Sequence, residues 1–108
     1  MTATALLLSL ALLTNAPQQE TEDKVSALLL TGENNHDWEW SHVSLKEMLE
    51  RSGRFEVDVT LDPDVTLEDS DGLAKYDVFI LDYNGARWGG PAEANFLAAV
   101  RGGTGVSI

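Results

Sequence analysis

His36 and Asp37 stand side by side in the packet Glu33-Asn34-Asn35-His36-Asp37-Trp38, and they are the pair in this chain best suited to chemistry near neutral pH. A neutral imidazole can take up or release a proton there, and a nearby carboxylate can fix its tautomer or raise its basicity. The plainer reading is a helix start, with Asn35 or Asp37 capping the first amides and His36 solvated beside them. His36, Asp37, Glu39 and His42 also offer metal-ligand types. They crowd one segment, and a closed metal site draws ligands from elsewhere, so a metal is not favoured and no cofactor is assigned.

Polar amides and aromatic faces surround this pair. Asn34, Asn35 and Asn84 can bind hydroxyl groups, while Trp38, Tyr83 and Trp88 offer flat faces of the kind that stack on the apolar side of a sugar ring. Aromatic side chains in such loops are as readily plain core, and Trp40 is expected to pack under the following helix. No GxGxxG or Walker pattern accompanies Gly32, Gly85 or Gly89-Gly90, and Glu33 and Asp82 would repel a phosphate.

These side chains need strands to deliver them. Val25 to Thr31 is apolar without alternation, the mark of a strand buried on both faces of a parallel sheet. Ser41 to Ser52 carries Leu45, Met48 and Leu49 at helical spacing, with Ser44 and Glu47 spaced as a capping box and Gly53 just past the end. Phe55, Val57 and Val59 alternate with polar residues, as in a half-exposed edge strand. Residues 62 to 72 form an acidic connection with room for one helical turn. Tyr76 to Asp82 reads as a second buried strand, residues 83 to 90 as its loop, Pro91 to Arg101 as a helix, and Gly105 to Ile108 as a fourth strand. The order predicts an α/β fold, a flavodoxin-like doubly wound parallel sheet with strand order 2-1-3-4. A fourth strand ending at Ile108 fits a truncated domain with an open edge.

Residues 1 to 16 hold a short apolar run closing on Thr14-Asn15-Ala16, too short to span a bilayer and suited to a signal peptide, though no Lys or Arg precedes it. An exported, periplasmic or extracellular protein is expected, with residues 17 to 24 as a polar linker and 25 to 108 as the domain. With seven Lys plus Arg against eighteen Asp plus Glu, the net charge of −11 disfavours nucleic acid and anionic membranes as partners. No cysteine is present, so neither a disulfide nor a Cys nucleophile can arise within these residues. Oligomeric state is not legible.

The strand ending in Thr31-Gly32, the loop Asn34 to Trp38, the run Leu49 to Val57, the Tyr76-Asp77-Val78 strand and the turn Gly102-Gly103-Thr104-Gly105 together resemble the ThuA-like (trehalose utilisation) family, similar in fold to the class I glutamine amidotransferases. The resemblance runs over about residues 25 to 108, the N-terminal half of the family's domain. It implies disaccharide or keto-sugar binding or transformation in sugar catabolism, with a His-containing loop beyond Ile108 where amidotransferases carry their Cys. A hydrolase or other sugar-modifying enzyme and a non-catalytic carbohydrate-binding or interaction module both remain open. The segment Lys75 to Asp82 also looks like the acceptor strand of a receiver domain, but Thr31-Gly32-Glu33 lacks the acidic pair such a site needs.

Overall fold

The computed structural model describes residues 23–108, so the expected leader and most of the expected linker lie outside the described residues. Four strands, β1 (Val25–Leu30), β2 (Phe55–Thr60), β3 (Val78–Leu81) and β4 (Gly105–Ser107), form one sheet in the order β2-β1-β3-β4. All three pairings are parallel, with Ala27 opposite both Val57 and Val78, and Val78 opposite Gly105. This is the predicted flavodoxin-like arrangement, and it puts β2 at an edge, as its alternating pattern requires.

Side chains alternate across a strand, so the unbroken apolar run of β1 feeds two cores at once. Leu28 and Leu30 join Phe79, Leu67, Leu73 and Ala92 on one face. Ala27 and Leu29 join Val57 on the other, under Leu45 and Leu49 of the first helix. Phe79 is fully buried and stacks on Phe96 at 5.2 Å between ring centroids.

The first helix, α1 (Trp38–Arg51), begins about one turn before the expected start at Ser41 and about two turns before the start that a Ser44 cap would set. The reason is Asp37, whose Oδ1 accepts from the Trp40 amide at 3.2 Å and whose carbonyl accepts from the Ser41 amide at 3.0 Å. Ser44 and Glu47 therefore sit inside the helix, where Glu47 pairs with Arg51 instead of reaching back to a cap. The early start also turns Trp40 outward, 67% exposed, rather than under the helix. Gly53 closes α1 as expected, with a φ of +77° that favours glycine.

The acidic connection holds two single-turn helices rather than one, α2 (Pro63–Thr66) and α3 (Ser70–Leu73). Pro63 starts the first and the Asp69 carboxylate caps the second through the Gly72 amide at 3.1 Å. β3 is shorter than predicted because Tyr76 and Asp77 precede the ladder, Asp77 accepting from the Ser26 amide at 2.8 Å. Helix α4 (Gly90–Arg101) follows with Pro91 in its first turn. Among the described residues no helix is long and apolar enough to cross a membrane.

Candidate functional site

In the order β2-β1-β3-β4, the chain leaves β1 toward one side of the sheet and β3 toward the other, and the loops after these two strands part to form a crevice at their carboxyl ends. Backbone geometry fixes the crevice first. Thr31 continues β1 by donating its amide to the Thr60 carbonyl at 3.0 Å. Gly32 then takes a φ of +106°, and a Cβ there would lie 2.0 Å from the Leu61 carbonyl oxygen, so only glycine fits.

Glu33 ties the two loops together. Its carbonyl accepts from the Asn84 amide and its carboxylate from the Ala86 amide, both at 2.9 Å. Gly85 leaves the space that the Glu33 side chain fills. On the far side Arg87 forks onto Glu93 of α4 at 2.8 and 2.6 Å, anchoring the second loop to its helix.

At the floor of the crevice lies Asp82, the first residue past β3 and only 6% exposed. Its Oδ2 accepts from the Ser41 hydroxyl at 2.7 Å and from the buried Thr31 hydroxyl at 3.5 Å. Its Oδ1 faces the Asn34 amide at 3.4 Å and His36 Nε2 at 3.8 Å. One carboxylate thus gathers donors from the end of β1, the β1–α1 loop and the first turn of α1. A buried carboxylate must be held by donors in this way, because desolvation without compensation is costly.

The resulting cleft has a volume of about 550 Å³ and is lined by Asn34, Asn35, His36, Asp82, Tyr83 and Asn84, with Leu45 and Leu81 supplying apolar wall. Five residues singled out in the sequence meet there: Asn34, Asn35, His36, Tyr83 and Asn84. Three others do not line it. Asp37 caps α1, so the carboxylate nearest the His36 imidazole is that of Asp82. Trp38 leans on the His42 ring at 5.8 Å, while His42 Nδ1 lies 2.6 Å from the Trp38 carbonyl. Trp88 packs edge-on against Phe96 at 5.2 Å and beside Tyr83 at 5.5 Å, joining the core around Phe79. Its indole N–H is buried without an acceptor. Trp88 borders a neighbouring hollow of about 200 Å³ together with Gly32, Glu33, Asp62, Asp64 and Arg87.

Asp82 and Ser41 are the members that sequence reasoning did not place in the site. The signal for Asp82 is an acidic residue ending the apolar run Val78-Phe79-Ile80-Leu81. Partial burial and then the Glu33 charge hold the Tyr83 phenol above its usual value, and its hydroxyl donates to the Ala86 carbonyl at 2.5 Å, which leaves the oxygen as an acceptor toward the cleft. Among the described residues no three His, Asp or Glu side chains converge as a metal-holding group. Chemically, the cleft combines amide donors and acceptors, a phenol, an imidazole and an anchored carboxylate, with no Lys or Arg in its lining.

No family profile matches the chain, and no curated protein matches it significantly. Among solved structures, it is similar to a protein from Parabacteroides merdae described as ThuA-like, at 40% sequence identity and a TM-score of 0.68. The similarity covers 78% of this chain and 31% of that protein, so the chain spans about a third of its length.

Proposed function

We propose that this chain is a ThuA-like domain whose cleft between the β1 and β3 loops binds, and in the enzyme reading transforms, a neutral disaccharide or keto-sugar. The observation that carries the reading is the convergence of three asparagines, His36, Tyr83 and Asp82 on one cleft at the sheet's switch point. Its volume, about 550 Å³, lies within the range of roughly 300–1,000 Å³ usual for small-molecule sites. Its lining supplies both donors and acceptors, as a ring of hydroxyl groups requires. The buried Asp82 charge and the lack of Lys or Arg in the lining disfavour phosphorylated sugars.

In this reading His36 is the acid/base group, Asn34, Asn35 and Asn84 bind hydroxyls, and Tyr83, whose own proton goes to the Ala86 carbonyl, accepts from a sugar hydroxyl at the opposite wall. Asp37 serves by fixing the start of α1 and so the end of the His36 loop. Trp38 and Trp88 do not line the cleft, and a stacking role for either requires a ligand that extends beyond it. Export to the periplasm or beyond, with residues 1–16 as a cleaved leader, belongs to the same proposal and rests on the apolar run of the sequence.

His36→Ala in the full-length protein tests the assignment. An enzyme loses turnover and its bell-shaped pH profile while retaining sugar affinity, whereas a pure binding module shows pH-insensitive affinity and no turnover before or after the change. Unchanged sugar turnover and unchanged affinity in His36→Ala would remove His36 from the site.

A further inference from the structure

The reading above leaves Asp82 without a chemical role of its own, although it is the most buried ionisable group at the crevice. Its two oxygens are used differently. Oδ2 is fixed by the Ser41 hydroxyl at 2.7 Å, with the Thr31 hydroxyl farther off at 3.5 Å. Oδ1 is turned to the cleft and has no contact as short as the Ser41 bond, meeting the Asn34 amide at 3.4 Å and His36 Nε2 at 3.8 Å. Fixing one oxygen leaves the other with a defined direction, and the imidazole nitrogen that faces a carboxylate is the one that carries the proton.

We infer that Asp82 is a positioning residue that holds His36 as its Nε2–H tautomer, with Nδ1 left unprotonated as the nitrogen available to a bound ligand. Ser41, on the first turn of α1, acts through the same carboxylate by preventing its rotation about χ2. The second histidine provides an internal contrast. His42 Nδ1 lies 2.6 Å from the Trp38 carbonyl, an acceptor with no proton to give, so Nδ1 of His42 must donate and that ring is the opposite tautomer. Two histidines six positions apart therefore carry their protons on different nitrogens, each set by one oxygen.

The role given to Asp82 rests on His36 being the acid/base group of the proposed site, but the tautomer itself can be read without any ligand. The experiment is a two-bond ¹H–¹⁵N correlation spectrum of the intact, ¹⁵N-labelled protein, taken above the pH at which the imidazoles are protonated, for the unaltered protein, Asp82→Asn and Ser41→Ala. The unaltered protein should show two single-tautomer patterns, Nε2–H for His36 and Nδ1–H for His42. In Asp82→Asn the His36 pattern should collapse to the averaged pattern of a free imidazole, with His42 unmoved. Ser41→Ala should move His36 part of the way. An averaged His36 pattern in the unaltered protein overturns the inference, and this needs no variant to fold. So does a His36 pattern in Asp82→Asn identical to that of the unaltered protein. If the tautomers are as stated but no sugar binds, the proposed function fails while the positioning role stands.

Discussion

The Ser41–Asp82 hydrogen bond should be measurable as a coupling energy, and its size follows from the geometry of the crevice. Asp82 is 6% exposed and its shortest contact is the Ser41 hydroxyl at 2.7 Å. A hydrogen bond to a charged acceptor contributes about 1.5–3 kcal/mol, and because Ser41 is half-buried the lower figure applies. Ser41→Ala should therefore cost about 1.5 kcal/mol. Asp82→Ala removes the acceptor of three donors and strands the fully buried Thr31 hydroxyl, for a cost of about 3 kcal/mol. An opposing effect is relief from burying a charge whose one ion-pairing partner among the described residues is His36 at 3.8 Å. The orphaned hydroxyls win because Thr31, at 0% exposure, has no water to turn to. Once the acceptor is gone, Ser41→Ala costs nothing more, so the double variant should cost about 3 rather than about 4.5 kcal/mol, a coupling of about 1.5 kcal/mol. Urea unfolding followed by tryptophan fluorescence measures all four corners of the cycle through their midpoints, provided the slopes agree. A coupling below about 0.5 kcal/mol would refute the view that this carboxylate holds the loop and helix together.

Gly32→Ala should destabilise the protein by more than about 3 kcal/mol, since the new Cβ meets the Leu61 carbonyl on top of an unfavourable φ, and a thermal melt checks it. Asp37→Ala should cost about 1 kcal/mol as a lost helix cap, while Asp37→Asn should be close to neutral in the same assay. The Tyr76 hydroxyl donates to Asp58 at 2.7 Å, and burial followed by that carboxylate raises the phenol well above its usual value of 10.0. Because the folded value is the higher one, this contribution is full below pH 10 and is lost as pH rises through the folded value. The same hydrogen bond lowers the Asp58 carboxyl below 3.8, so its contribution is present above that pH and fades as pH falls through the folded value. Tyr76→Phe should flatten the alkaline limb of the melting temperature against pH, and an unaltered limb would show that another group controls it.

Strand order and layer assignment were legible because β1 and β3 are short unbroken apolar runs and β2 alternates, patterns imposed directly by burial on two faces or one. The start of α1 was misplaced because Ser44-x-x-Glu47 and Asp37 both fit a cap, and the choice turned on which amide lay within reach. Trp40 followed from that choice, since moving a helix start by one turn decides which side chain faces the core. The cleft residues of the two loops were legible from their position after central strands. What could not be read was the partner of His36. Asp37 is adjacent in sequence, whereas Asp82 is 46 positions away and is brought near by the pairing of Leu30 with Leu81. Trp88 shows the same limit: its loop position does not reveal that Phe96, in the second turn of α4, packs edge-on against its ring.

The most direct test of the central reading is a chemical-shift titration of the ¹⁵N-labelled protein with trehalose, a neutral disaccharide, with glucose 6-phosphate as the charged comparison. The account predicts saturable shifts confined to the residues of the β1 and β3 loops, centred on Asn34, His36, Asp82 and Asn84, and none from the phosphorylated sugar. Shifts confined to the outer face of α1 and β2, or saturable binding of the phosphorylated sugar in the cleft, would contradict it.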